Sequence, residues 1–193
     1  MGRRLMKPTR AVTLLELLVA VILFSTIAVG FYSIDIFSRN QVLSAQRQIQ
    51  VQNEVSIALE HITKNVILAI GCTALPGRAQ YPVDFSPIGG ETGFSVYIDG
   101  DRNGIWGTAG DYWIAYRYHA ATYELWYYPN YSLDPSSYEI VASKISAATF
   151  GTTDNYIVAT ITACWNPAGA CGTLQNPQVV MTAHAKMPAV SLM

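Results

Sequence analysis

The sequence predicts an α+β protein in which a long N-terminal helix packs under an antiparallel β-sheet. One observation is an unbroken helical pattern over residues 13–70, apolar at first and amphipathic later, with no proline between Pro8 and Pro76. The other is a set of short alternating runs in residues 71–193, separated by Gly, Pro, Asn and Asp, as is typical of strands and turns. A helix beside a run of strands belongs to the α+β class.

The first half of this helix is apolar enough to cross a membrane. Residues 12–34 read VTLLELLVAVILFSTIAVGFYSI, and Glu16 is their only charged residue. An apolar stretch of about 18 residues or more is a transmembrane helix candidate. A carboxylate inside such a helix costs about 2.5–3.5 kcal/mol on insertion scales and marks a functional site with a partner. We therefore expect Glu16 to have a specific partner.

A short basic leader precedes the apolar run. Residues 1–11 contain four Lys or Arg residues and no acid, which places this end in the cytoplasm by the positive-inside rule. Two other interpretations stay open. The segment is an ordinary single-pass anchor, or it is a secretory signal peptide cut after Gly30, where Ala-Val-Gly loosely fits a small-x-small site. The acid at the start of the apolar run and the unbroken helical pattern disfavour the signal peptide.

Residues 11–16, AVTLLE, resemble the class III signal of type IV prepilins. In that family a membrane peptidase cuts before the apolar run and N-methylates the new amine. The resemblance implies a cut between Ala11 and Val12, and a pairing of the Val12 amine with Glu16 of a neighbouring subunit. Burying either charge alone is expensive, and pairing recovers much of that cost. The chain departs from the family in having Ala11 for the usual Gly and Val12 for the usual Phe, and in lacking a proline within the helix.

The second half of the helix, residues 35–70, is amphipathic. One stripe recurs at steps of three and four, which predicts a buried helix face, and Gly71 is a candidate helix stop. We expect the stripe to pack under the sheet, with coiled-coil dimerisation as the alternative. Its members are Val42, Ala45, Ile49, Gln52, Val55, Leu59, Ile62, Val66 and Ala69.

The remainder of the chain reads as a loop region followed by strands. Residues 72–93 are rich in Pro and Gly, and the predicted strands are residues 94–98, 112–119, 123–128, 138–142, 156–163 and 179–186. This order, with a turn near residue 71, a strand ending in Tyr-Arg-Tyr and the segment 145–150 before paired strands, resembles PilW-type minor pilins. Minor pseudopilins of type II secretion systems share the layout.

The loop after the first predicted strand carries candidate metal ligands. Asp99, Asp101 and Asn103 occupy positions 1, 3 and 5, with Ile105 at position 7 and Asp111 at position 13, which matches the first half of an oxygen-ligand Ca²⁺ loop. The twelfth position is glycine and no helices flank the loop, so it is not a regular EF-hand. Ca²⁺ is the only cofactor the sequence suggests. The alternative is a polar hairpin loop in which Asp and Asn serve the turn.

Three cysteines are present, and an extracytoplasmic setting permits a disulfide. We favour Cys164–Cys171, which closes a short turn-rich loop. Cys72 is then the third, unpaired cysteine in this assignment. It is either free and buried or takes the place of one of the other two, since disulfide connectivity does not follow from sequence.

Charge and composition disfavour two classes of function, nucleic-acid binding and catalysis. The net charge is −1, and removal of the four basic residues of the leader leaves 8 basic against 13 acidic residues, or −5, which disfavours a nucleic-acid binder. The three histidines are scattered, no catalytic motif is recognisable, and we expect no enzymatic activity. The aromatic strings at 112–113 and 125–128 form either a stacking platform for sugar or nucleic acid or, as we favour, sheet packing and subunit contacts.

We therefore expect a minor-pilin-like structural subunit that helps to initiate or cap a type IV pilus. Its parts are a basic leader (1–11), a transmembrane half-helix (12–34), an amphipathic half-helix (35–70) and an extracytoplasmic β-rich part (71–193). The resemblance implies as partners other pilins, the prepilin peptidase and an inner-membrane assembly platform. It implies an inner-membrane location and then a pilus or periplasmic filament. The alternatives are a minor pseudopilin of type II secretion and a membrane-tethered extracytoplasmic ligand-binding module.

Overall fold

The computed structural model describes residues 13–69, 83–101, 108–132, 134–153 and 156–186. It contains one long helix and two antiparallel sheets, which confirms the predicted α+β class. The elements are α1 (Leu14–Val66), β1 (Val83–Asp84), β2 (Gly93–Ile98), β3 (Tyr112–His119), β4 (Glu124–Tyr128), β5 (Glu139–Ala142), β6 (Ile145–Thr153), β7 (Tyr156–Cys164) and β8 (Gln178–Lys186).

The chain divides into two compact units, Met1–Leu43 and Ser44–Met193. In the first unit the described residues are those of α1 and the residue before it, and all their side chains are exposed. In the second unit the rest of α1 packs against the sheets. The helix ends at Val66, four residues before the predicted end, in a tighter turn closed by hydrogen bonds from Leu68 N to Asn65 O and from Ala69 N to Val66 O. Gly71, the predicted stop, lies outside the described residues.

The strands form two sheets rather than the single sheet predicted from the sequence. The first has the order β1-β2-β3-β4-β5 and the second the order β6-β7-β8, with antiparallel pairing throughout. The break follows β5, where Lys144 adopts a positive φ of 62°. This left-handed residue turns the chain, and the next residue, Ile145, starts a strand that pairs with β7 instead of β5. β1 lies in the region predicted to be loop, and β6 covers the segment 145–150.

The core lies between the second half of α1 and the inner faces of the two sheets. The helix contributes a stripe at steps of three and four, and the sheets contribute alternate residues of their strands. The buried helix residues are Val51, Val55, Ala58, Leu59, Ile62 and Val66, and those of the first sheet include Phe94, Val96, Ile114, Tyr116 and Leu125.

The predicted stripe is correct only from Val55 onward. Val42 and Ile49 are 54% and 58% exposed, so their assignment to the buried face is wrong. Ala45 and Gln52 are also exposed, while Val51 and Ala58 are fully buried instead. Among the described residues, the helix residues that are packed in the core begin at Val51.

A polar cluster ties α1 to β3 inside this core. The hydroxyl of Tyr116 lies 2.8 Å from His61 Nδ1, accepts a hydrogen bond from Asn65 Nδ2 at 2.8 Å, and lies 3.1 Å from the carbonyl oxygen of His61. Burial raises the pKa of Tyr116. Burial also lowers the pKa of His61, assisted by Lys64 and opposed by Glu139. Both groups are thus held neutral, and their hydrogen bond joins α1 to β3.

Candidate functional site

The start of α1 is a capping box built from Thr13 and Glu16. The Thr13 hydroxyl accepts a hydrogen bond from Glu16 N at 3.3 Å, and Glu16 Oε2 accepts one from Thr13 N at 3.2 Å. The Thr13 hydroxyl also lies 3.2 Å from Glu16 Oε2. Each side chain thus satisfies a backbone N–H that the helix start leaves open. The Thr-x-x-Glu spacing carries the signal for this capping box in the sequence, beside the charge of Glu16.

Glu16 therefore has a partner within its own chain. The predicted cleavage and methylation residues, Ala11 and Val12, lie outside the described residues, so the pairing of Val12 with Glu16 stays a prediction.

The surface of α1 that follows is apolar and uncovered. Every Leu, Ile, Val, Phe and Tyr side chain between Leu14 and Phe37 is at least 42% exposed. Among the described residues α1 is the one helix that is long and apolar enough to cross a membrane, judged by length and composition. A helix of this kind near the N-terminus is a membrane anchor or a signal sequence, followed here by a β-rich domain. Such a surface requires cover by lipid or by other apolar helices.

The acidic loop between β2 and β3 brings three predicted ligands together. Asp99, Asp101 and Asp111 each offer a carboxylate oxygen, and these oxygens lie within 4.8 Å of one another. Asp111 Oδ2 accepts hydrogen bonds from Thr108 N at 3.0 Å and from the Tyr97 hydroxyl at 3.2 Å. The remaining predicted ligands, Asn103 and Ile105, lie outside the described residues. Ca²⁺ binding stays a prediction, as does the alternative of a polar turn.

Two glycines allow this convergence. A Cβ at Gly100 would clash with the carbonyl oxygen of Gly110, and a Cβ at Gly110 would lie 2.8 Å from Asp101 Cβ. The two sides of the loop approach so closely that neither position accepts a side chain without a shift.

Cys164 and Cys171 form a disulfide, the pairing favoured from the sequence. It closes the tip between β7 and β8, and α1 holds the same tip from outside. Ser44 Oγ donates a hydrogen bond to Leu174 O at 2.6 Å, and Arg47 Nη1 donates one to Gln175 O at 2.7 Å. These contacts fix the segment between Cys171 and β8 to the part of α1 that precedes the core. Cys72 lies outside the described residues.

A charged cluster that the sequence analysis missed lies on the outer face of the first sheet. Arg117 Nε donates a hydrogen bond to Glu91 Oε2 at 2.6 Å, and His119 Nδ1 lies 2.9 Å from the same oxygen. Trp126 lies beside Arg117 across β3 and β4, with the guanidinium 5.3 Å from the ring centroid. Gly89, with φ 61°, leaves room for this guanidinium, since a Cβ there would lie 2.9 Å from Arg117 Nη1.

The charge of Glu91 is stabilised by this cluster. Partial burial opposes the ionised form, but hydrogen bonds from His119, Arg117 and the backbone N–H of Ala120 outweigh it and hold the pKa of Glu91 below its usual value. The sequence gives only a weak signal for this cluster, because Glu91 lies in a region predicted to be loop and its side-chain partners lie in β3.

Comparisons of the chain with protein-family models, with curated proteins and with solved structures found no match.

Proposed function

We propose that the chain is a minor-pilin-like structural subunit that helps to initiate or cap a type IV pilus. The observation that carries the proposal is the composition of α1. A single helix combines an uncovered apolar half, one acid at its start and a second half that packs under antiparallel sheets. The prepilin-like AVTLLE segment at its start supports the same assignment.

The proposed mechanism uses the two halves of α1 differently. Prepilin peptidase removes residues 1–11 and methylates the amine of Val12, and the apolar half holds the subunit in the inner membrane. During assembly on a membrane platform, the apolar side chains pass from lipid to neighbouring subunits. The Val12 amine pairs with Glu16 of a neighbour, so neither charge is buried alone. The sheets lie on the periplasmic or external side.

The capping box supplies a competing role for Glu16, and two substitutions separate the roles. Glu16→Gln keeps an oxygen that can cap the helix but removes the charge, since Gln serves in capping boxes as Glu does. Glu16→Ala removes both. On the charge-pair mechanism both variants stay in the membrane and both are depleted from sheared, sedimented filaments.

Thr13→Ala is the matched control, because it removes a capping hydroxyl and leaves the charge of Glu16. Normal incorporation of Glu16→Gln, with loss in Glu16→Ala and Thr13→Ala, would show that Glu16 acts only as a cap. That result would remove the charge-pair mechanism.

The alternative is a minor pseudopilin of a type II secretion system, with the same helix and a different machine. Deletion separates the two. Loss of surface pili with normal protein export supports the pilus assignment, and loss of export with normal pili supports the pseudopilin. A membrane-tethered ligand-binding module would leave both processes intact.

A further inference from the structure

The connection between β7 and β8 forms a tip, residues 165–177, that contacts α1 before the core begins. The described residues 13–50 of the chain are exposed except for Ser44 and Arg47, which are half-buried. These two side chains donate hydrogen bonds to two consecutive carbonyl oxygens of the tip, at 2.6 and 2.7 Å. The tip therefore covers a part of the helix that precedes the core.

Arg47 contacts both limbs of the tip. Its Nη1 donates a hydrogen bond to the carbonyl oxygen of Gln175, on the limb that leads into β8. Its guanidinium carbon lies 5.6 Å from the ring centroid of Trp165, on the limb that leaves β7. A guanidinium over an indole ring adds a cation–π attraction. Both contacts require the two limbs to keep their present separation, so the hold on α1 depends on what joins the limbs.

Beyond the pairing of β7 with β8, a disulfide and a side-chain amide join the limbs. The disulfide links Cys164, the last residue of β7, to Cys171. Asn176 Oδ1 accepts a hydrogen bond from Asn166 N at 2.7 Å, and Asn176 Nδ2 donates one to Asn166 O at 2.9 Å. Hydrogen bonds in an exposed turn compete with water and are individually weak. The disulfide limits the separation of the limbs in every conformation of the chain, so it is the stronger constraint.

The two cysteines differ in exposure, which gives their oxidation a direction. Cys164 is fully buried and Cys171 is half-buried, so an oxidising partner meets Cys171 first. The Cys171 thiolate attacks the disulfide of a thiol–disulfide oxidoreductase, and the Cys164 thiolate then attacks the Cys171 sulfur. One S–S bond forms in the chain, the two cysteines lose two electrons and two protons, and the oxidoreductase leaves as a dithiol.

We propose that formation of this disulfide closes the tip onto α1 and thereby orders residues 44–50 of the helix. In the oxidised chain, Arg47 contacts both limbs and Ser44 contacts one, so the helix gains tertiary contacts before the core. A helix segment without tertiary contacts is marginally stable in water. In the dithiol chain the limbs separate and these contacts are lost. The device is the same in a pilin, a pseudopilin or a tethered module, so it does not depend on the proposed function.

The test is hydrogen exchange of the full chain in detergent micelles, read by mass spectrometry in a peptide that covers residues 44–50. Replacement of both Cys164 and Cys171 by Ser should speed exchange in this peptide about tenfold, as for one lost hydrogen bond of a charged group. Arg47→Ala with the disulfide intact should give a similar increase. Because both changes remove the same contact, Arg47→Ala should add little in the disulfide-free chain.

Gln46→Ala is the matched control, because Gln46 is an exposed neighbour of Arg47 on the same helix, and it should leave exchange unchanged. Cys171→Ser alone leaves the buried Cys164 in place and repeats the comparison with less disturbance of the core. Unchanged exchange at residues 44–50 in both disulfide-free chains would overturn the proposal. An equal effect of Arg47→Ala with and without the disulfide would also overturn it, since the contact would then be independent of the disulfide.

Discussion

Ile62→Ala should strongly destabilise the domain formed by the second half of α1 and the sheets. Ile62 is fully buried in the core shared by helix and sheets. The substitution removes three carbon atoms at about 0.8 kcal/mol each, or about 2.4 kcal/mol. The cavity left behind adds to this, so the expected loss lies in the range of about 2–5 kcal/mol. For a domain of this size that corresponds to a fall in melting temperature of roughly 4–20 °C.

Ile57→Ala is the matched control. It makes the same change in the same helix with the same effect on helix propensity, but Ile57 is 55% exposed. We expect a loss below about 1 kcal/mol, as for most surface substitutions. Thermal unfolding followed by near-ultraviolet circular dichroism of the Tyr and Trp residues measures both variants. Equal destabilisation by the two, or no effect of Ile62→Ala, would refute the orientation of α1 described above.

Three further predictions concern the sheets and loops. Because the folded pKa of Glu91 is lowered, its contribution is complete above the unfolded pKa of about 4.3 and is lost as the pH falls through the folded value. The melting-temperature deficit of Glu91→Gln should therefore be largest near neutral pH and should shrink below about pH 4.3; a deficit independent of pH would contradict this. Replacing Cys164 and Cys171 by Ser should lower stability by about 2–3 kcal/mol, and a reductant should then destabilise only the unsubstituted chain. If Ca²⁺ binds the acidic loop, it should raise the melting temperature of the unsubstituted chain but not that of Asp111→Asn, and no rise in either would favour the polar-turn interpretation.

Much of the fold was accessible from sequence because its signals are local. The uninterrupted helical pattern predicted α1, and six strands were placed within one residue at each end, since alternation and turn residues mark them. The division into two sheets was not predicted, because it depends on the left-handed conformation of Lys144. Lysine rarely adopts a positive φ, so the residue type gives no sequence signal for this conformation. The true start of the buried stripe at Val51 also depends on where strands lie over the helix.

The candidate sites likewise differ in whether their sequence signal is local or depends on strand pairing. The spacing of Asp99, Asp101 and Asp111 marked them as candidate ligands because the three flank one loop, and their carboxylate oxygens lie within 4.8 Å of one another. The contacts of Glu91 with Arg117 and His119 needed the register of β2 and β3, which sequence does not supply.

The most direct test of prepilin processing is the intact mass and N-terminal peptide map of the protein taken from its native membrane. A processed prepilin starts at Val12 and is heavier by one methyl group. A chain that starts at Met1 would contradict prepilin processing and make α1 an ordinary anchor. A chain that starts at Phe31 would make the apolar segment a signal peptide and the protein a secreted domain.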